Sequence, residues 1–202
     1  MQSSREPVHR CFYGITFPHA VNVAVSGLIA NLERHDHGAV RWTPPANLHL
    51  TLRFLGELER RRFSEARQVM IDATLPPPFT LGFGPTNAFP SLRKPRVLVL
   101  DLEERADTSL NALQALQTLT ESFARALGLE PEERSFRPHL TLGRVRRGEE
   151  LSLGLRKVLE TMTVDIPDAK VDQLLLIESK MSREGAKYRI VEKRELRVRR
   201  RS

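Results

Sequence analysis

Two short stretches of the chain place a histidine and a threonine two residues apart, His49-Leu50-Thr51-Leu52 and His139-Leu140-Thr141-Leu142. An imidazole titrates near neutrality and serves as general acid or general base. A threonine hydroxyl donates a hydrogen bond to a phosphate oxygen or another developing anion. Among six histidines, roughly 0.4 His-x-Thr matches are expected by chance, so the doubling carries the signal. In a strand, His49 and Thr51 point one way while Leu48, Leu50 and Leu52 point the other, and the second copy repeats this. In-line attack at phosphorus needs a base on one side and an acid at the leaving oxygen on the other. Two imidazoles placed about a two-fold axis supply that pair. Without a nearby carboxylate or thiolate they fall short of the three or four ligands of a zinc site.

For the four residues to act together, the chain must bring two strands to one place. Residues 10–17 read as a strand. A helix follows over 19–34, with Val21, Val25, Leu28 and Leu32 on one stripe. After a loop at 36–45, residues 48–55 alternate as a strand, and a helix over 60–73 ends at Pro76-Pro77-Pro78. A strand over 79–83 extends toward Phe89. Beyond a basic, proline-bounded loop at 90–95 the order begins again. It runs strand 96–102, helix 107–127, strand 138–145, helix 149–162 and strand 171–179, with a last strand at 188–198. Asp107 or Thr108 is placed to cap the long helix, and Gly128 to stop it. The repeat predicts a single bilobal domain over 1–202, with halves near 1–92 and 93–202, each contributing one His-x-Thr strand to a shared groove.

Composition excludes several classes. The chain has 202 residues, 40% hydrophobic and 28% charged, enough to bury a core without metal or disulfide. Its one cysteine, Cys11, forms no internal disulfide and no thiolate zinc cage. No apolar run approaches the length of a membrane span, and charges interrupt the first residues where a secretion signal is apolar, so a cytoplasmic protein is expected. The net charge is +7 and the isoelectric point near 10.2, which suits an anionic partner, nucleic acid first. Much of the excess lies in the tail, in Lys193, Arg194, Arg197, Arg199, Arg200 and Arg201.

The chain resembles the 2H phosphoesterases, and within them the RNA 2′,3′-cyclic phosphodiesterase (2′-5′ RNA ligase-like) branch. The resemblance rests on the two tetrapeptides and their extensions Arg53-Phe54-Leu55-Gly56-Glu57, Arg137-Pro138 and Gly143-Arg144-Val145. Residues 12–17, Phe89-Pro90 and Glu178-Ser179-Lys180 add to it. It implies an α+β fold in which two antiparallel sheets face a central groove with helices outside. It further implies metal-independent hydrolysis of RNA 2′,3′-cyclic phosphate ends to 2′-phosphomonoesters, with no cofactor, and reversible 2′-5′ ligation by the same groups. Carried over by position, His49 protonates the departing 3′-oxygen, His139 activates water, and Thr51, Thr141 and Arg144 hold the phosphate. Strand parity alone puts Arg144 on the leucine face, so it reaches the groove only if the strand bulges. The chain departs from the family pattern at Val97, Leu98 and Val99, where an aromatic residue is common, and at Gly143, where alanine is.

Four further residues are candidates for base or RNA contacts. Arg53 and Arg137 share faces with the histidines, with a solvated rim charge as the alternative. Phe12 is a candidate stacking surface or a core residue, and Trp42 a stacking platform or a hydrophobic plug. Tyr188 reads as packing, Cys11 as buried, Lys180 as a rim charge, and His19, His35 and His37 as surface residues. The expected partners are RNA 3′ ends or small cyclic nucleotides, with no membrane, and the expected state is a monomer because both motifs lie in one chain. Two alternatives remain: a phosphodiesterase acting on another cyclic or 2′-5′ linked nucleotide, and a non-catalytic RNA-binding protein.

Overall fold

Alternating apolar side chains form the sheet, and amphipathic helices cover one of its faces. The computed structural model describes residues 8–106, 111–182 and 185–197. The strands are β1 (His9–Ile15), β2 (Val40–Trp42), β3 (Leu50–Leu58), β4 (Phe79–Phe89), β5 (Val97–Glu104), β6 (His139–Val145), β7 (Ala169–Val171), β8 (Gln173–Ser182) and β9 (Gly185–Glu195). The helices are α1 (His19–Glu33), α2 (Arg60–Asp72), α3 (Ala112–Ala126) and α4 (Leu153–Thr161). Helix α1 buries Val21, Val25, Ile29 and Leu32. Ile29 takes the place expected of Leu28, which is only partly covered.

Two boundaries moved for reasons of capping. Helix α4 starts at Leu153 rather than near 149, because the Ser152 hydroxyl accepts the Leu155 N–H at 3.0 Å. Asp107 and Thr108 lie outside the described residues. The first free N–H groups of α3, on Ala112 and Leu113, are instead taken by the two carboxylate oxygens of Glu104, each at 3.0 Å. Gly128, at φ 73°, ends that helix as expected. The 36–45 loop contains β2, three residues too short to register in a hydrophobic pattern, and β7 and β8 divide what reads as one apolar strand.

All strand pairs are antiparallel, in the order β7-β4-β5-β6-β3-β1-β8-β9, with β2 on the free edge of β6. The two expected half-sheets are therefore joined into one curled sheet, at a single central pair, Leu50–Leu140. The third strand of each sequence half crosses over: β4 pairs with β5, and β8 with β1. Each lobe thus borrows a strand from the other half. The main core, including Leu50, Leu52, Leu140 and Leu142, lies on the helix side. A small second cluster of Phe12, Leu175 and Ile177, with Tyr188 against it, sits apart from that core, and Phe12 and Tyr188 line the groove.

Candidate active site

The Leu50–Leu140 pair sets the geometry of the site. Antiparallel register from that pair puts His49 across from Thr141 and Thr51 across from His139. The leucines point into the core, so the four polar side chains share the open face. Diagonal neighbours across an antiparallel pair lie about 7–8 Å apart. All four side chains line one cavity of about 540 Å³.

Each imidazole is held in the same way. His49 Nδ1 lies 2.6 Å from the Asn47 carbonyl, and His139 Nδ1 lies 2.7 Å from the Arg137 carbonyl. A carbonyl only accepts, so in each ring Nδ1 carries the proton and Nε2 is left for chemistry. His49 Nε2 is 3.0 Å from the Thr51 hydroxyl. Burial pushes the His49 pKa down to about 4; the Asn47 bond opposes this, and the charges of His139 and Arg144 add to the lowering. His139 is lowered as well, chiefly by burial. The Arg137 bond and the neighbouring Asp101 act against the shift, while Arg144 and Arg137 add to it. Asp101 faces His139 directly in the β5–β6 ladder, and its Oδ2 accepts the Asn87 amide at 3.1 Å.

The position of Arg144 is decided by a bulge. The β5–β6 register slips between Leu98 and Val99, so that Leu142 is skipped and Val97 pairs with Arg144. This returns Arg144 to the groove face, where it lines the cavity. A matching slip in the β1–β3 ladder skips Leu52 and corrects the expectation for Arg53. Arg53 lines a cavity with Thr51, His139 and Arg144, but its guanidinium is neither free nor a solvated rim charge: it pairs with Glu121 of α3 at 2.6 Å and donates to the Glu130 carbonyl. The same slip brings Phe54, half exposed at 52%, into the groove. Sequence parity missed Phe54 for the reason that it mistook Arg53.

Phe12 is 2% exposed and packs on His49 with ring centroids 4.8 Å apart, so it supports the imidazole rather than offering a free stacking surface. Tyr188, read as packing, stands edge-on to His49 at 5.0 Å and to Phe12 at 5.3 Å, in the cavity wall. Trp42 is half-buried beside the groove, its indole N–H donating to Asp36 at 3.2 Å. Arg137 lies over the Phe89 ring at 4.9 Å, and Phe89 meets His139 edge-on at 4.9 Å. These two residues, with Phe54 and Phe136, border a second cavity of about 580 Å³ that shares Thr51, His139, Thr141 and Arg144 with the first.

Other residues fall outside the chemistry. The buried Cys11 thiol is pushed up to about 12 by burial, with Glu178 adding to the shift and Arg189 opposing it. Glu178 braces β1 and β9, bonded to His9 at 2.7 Å and Arg189 at 2.8 Å. Lys180 stands exposed, 3.9 Å from Glu178. His19 and His37 are exposed and His35 is half-buried. In the basic tail, Arg194 ties β9 to the carbonyls of Met70 and Ala73, while Arg199, Arg200 and Arg201 lie outside the described residues. Among the described residues no three His, Cys, Asp or Glu side chains gather as a metal-ligand set, and no helix is long and apolar enough to cross a membrane.

Paired His-x-Thr strands facing one groove of a duplicated α+β sheet define a two-histidine phosphoesterase. The family model described as "LigT like Phosphoesterase" matches residues 15–99 and 107–188, and the chain belongs to that family. Its relatives include the RNA 2′,3′-cyclic phosphodiesterase of Aquifex aeolicus, 26% identical over 188 residues, covering 92% of this chain and 96% of that one. The Bacillus subtilis protein of the same name is 31% identical over 111 residues, 54% of this chain and 58% of its own. Among solved structures, Escherichia coli LigT in its apo form superposes with a TM-score of 0.71 at 25% identity, covering 95% of this chain and 99% of that one. A Thermus thermophilus protein gives 0.75 at 23% identity, over 95% and 100%, a likeness of fold.

Proposed function

We propose that the chain hydrolyses the 2′,3′-cyclic phosphate at an RNA 3′ end to a 2′-phosphomonoester, without a metal. The observation that carries this reading is the pair of imidazoles, each locked with Nδ1–H on a backbone carbonyl and Nε2 toward one cavity that Thr51, Thr141 and Arg144 also line. The names borne by the relatives point the same way. Thr51, Thr141 and Arg144 hold the non-bridging oxygens and neutralise charge that builds at phosphorus. One histidine takes a proton from water as its oxygen attacks phosphorus. The P–O3′ bond breaks, and the other histidine delivers its proton to O3′.

The resemblance assigns the donor role to His49 and the base role to His139. Burial, with His139 and Arg144 adding to it, holds His49 near 4, so that assignment needs the substrate's own anion to bring a proton onto His49. A phosphate beside Thr51 does this by opposite-charge attraction. The cavity beside Phe89 and Phe136 favours a second reaction at the same phosphorus. An RNA 5′-hydroxyl seated there replaces water, and attack with loss of O3′ leaves a 2′-5′ linkage.

The test is purified protein, in EDTA, with an oligoribonucleotide ending in a 2′,3′-cyclic phosphate. A 2′-phosphate product is expected. Activity lost in EDTA and regained with a divalent ion would replace the acid–base reading by a metal one. Addition of a 5′-hydroxyl acceptor RNA tests ligation through the appearance of a 2′-5′ bond.

A further inference from the structure

A third cavity, a cleft of about 650 Å³, opens between the β4–β5 loop and the β6–α4 loop. Its wall carries Arg93, Lys94, Arg96, Arg146, Arg147 and Arg156 against two acidic residues, Glu149 and Glu150. Arg156 is structural: it donates to the carbonyls of Leu92 at 3.1 Å and Leu151 at 3.3 Å, and so pins both loops. Arg146 donates to the Gly38 carbonyl at 3.0 Å. Arg93, Lys94, Arg96 and Arg147 are exposed, and among the described residues none has an ion pair or a side-chain hydrogen bond. Four unpaired cations on a concave surface repel one another, and six basic side chains against two carboxylates leave the cleft a net positive field that draws an anion.

The cleft lies past the end of the strand that begins at His139. Strand β6 starts at His139, passes Thr141 and Arg144, and delivers Arg146 and Arg147 to the cleft wall. Arg41 of β2 lies opposite Arg144 and on the same face. The Val145 N–H bonds to the Arg96 carbonyl at 3.0 Å, which fixes Arg96 beside that run. From Thr141 to Arg146 the strand covers about 17 Å. One phosphate cannot span that length, whereas a strand of several nucleotides presents a phosphate at each step.

We propose that this cleft binds the phosphodiester backbone of a single-stranded RNA whose cyclic 3′ end occupies the groove, so that the enzyme prefers a polynucleotide to a mononucleotide. The inference rests on the phosphodiesterase reading and adds a second contact region to it. Positively charged surface combined with an exposed aromatic residue, here Phe54 in the groove, is how sequence-tolerant single-strand binding is built. Arg93, Lys94 and Arg147 are exposed and hold the loops through no side-chain bond, so reversing their charge leaves the fold and the groove intact.

The experiment compares a 2′,3′-cyclic mononucleotide with 5-mer and 10-mer oligoribonucleotides ending in the same group, in wild type and in R93E/K94E/R147E. Wild type should show a KM about tenfold lower or more for the 10-mer than for the mononucleotide. Its log(kcat/KM) for the 10-mer should fall steeply with log salt. The triple variant should lose the length preference, and its salt slope should flatten by about 2, roughly 0.7 for each of three lost contacts. Its kcat/KM for the mononucleotide should stay within twofold. Equal KM values for short and long substrates in wild type would overturn the proposal, as would an unchanged length preference and salt slope in the variant. Absence of hydrolysis of any cyclic phosphate would instead sink the phosphodiesterase reading.

Discussion

Strands β3 and β6 carry the same tetrapeptide and hold their histidines by the same bond to the carbonyl two residues earlier, yet the surroundings of the two imidazoles differ. His49 is walled by Phe12 and Tyr188. His139 has Phe89 at its edge and Asp101 opposite. Five residues beyond each histidine, past equivalent bulges, stand Phe54 on one strand and Arg144 on the other. In the reaction we propose, the duplicated frame supplies the symmetric part, a donor and an acceptor on either side of phosphorus. The dressing then supplies what cannot be symmetric: one wall for a ring, one cation for the phosphate. The largest test of the shared part is removal of either imidazole. His49→Ala and His139→Ala should each lower kcat on a 2′,3′-cyclic nucleotide by about 10²–10⁴-fold. The double variant should be little worse than either, since the two act as a unit. Activity within tenfold of wild type in either single variant, with the far-ultraviolet circular dichroism unchanged, would show that the strands are not a pair.

The next test separates the two dressings. Arg144→Ala removes the cation we propose faces the phosphate and should cost kcat/KM about 10–100-fold for every substrate, whatever its base. A charge-assisted bond of about 1.5–3 kcal/mol sets that scale. Phe54→Ala removes an exposed ring and should cost about five- to tenfold, a base–aromatic contact at the lower end of about 1–3 kcal/mol. A panel of the four 2′,3′-cyclic nucleotides distinguishes them, because the loss at Phe54 should vary with the base and the loss at Arg144 should not. The reverse pattern would mean that the two walls have been assigned the wrong way round.

What the residues revealed in advance was whatever follows from period and repetition. The alternation of His49, Thr51, His139 and Thr141 against their leucines survives in the fold because each strand bulges only at the last residue of its tetrapeptide, Leu52 or Leu142. The order of elements was legible because α1, α2 and α3 each carry a long amphipathic face. Arg53 and Phe54 were misplaced because a bulge is a backbone event, and no side-chain pattern in β3 announces it. The three residues of β2 and the borrowed strands β4 and β8 follow from tertiary pairing, which local periodicity does not encode. Asp101 was invisible as a partner of His139 because the two meet only across the β5–β6 register.

The position four residues past each histidine sharpens the contrast at the level of stability. In β3 it is Arg53, which reaches Glu121. In β6 it is Gly143, whose missing side chain lets β2 close on the strand. A Cβ there would meet Val40 Cγ1 at 2.6 Å and Trp42 at 3.1 Å. Gly143→Ala should therefore destabilise the protein by about 1–3 kcal/mol as β2 is pushed off. It should also loosen Arg41 and Trp42, which line the groove from that strand. Urea unfolding reads the first effect, and a raised KM with little change in kcat reads the second. An unchanged midpoint would show that β2 yields freely, and that its packing on β6 contributes little to the site.

The smallest expected effect bears on the two titrations. In the free enzyme the chemistry needs one imidazole neutral and the other charged. Both imidazoles are lowered, His49 to about 4 and His139, by a smaller amount, below its ordinary value. As pH falls through about 4 the second imidazole is protonated and the base is lost. As pH rises through the His139 value the remaining proton leaves and the acid is lost. The profile of kcat/KM, which reports the free enzyme, should be a bell on the acid side of neutrality, with the two limbs belonging to the pair. A bound phosphate anion favours both imidazolium forms, so the kcat profile should lie at higher pH than that of kcat/KM. Asp101 raises the upper of the two values and has no counterpart opposite His49. Asp101→Asn should consequently move the upper limb of kcat/KM to lower pH by a fraction of a unit, while the lower limb stays in place. This shift is the same whichever histidine donates in turnover, because the limb follows the pair and not the assignment. A displacement of the lower limb instead would mean that the carboxylate acts on His49, and that the asymmetry between the strands lies elsewhere.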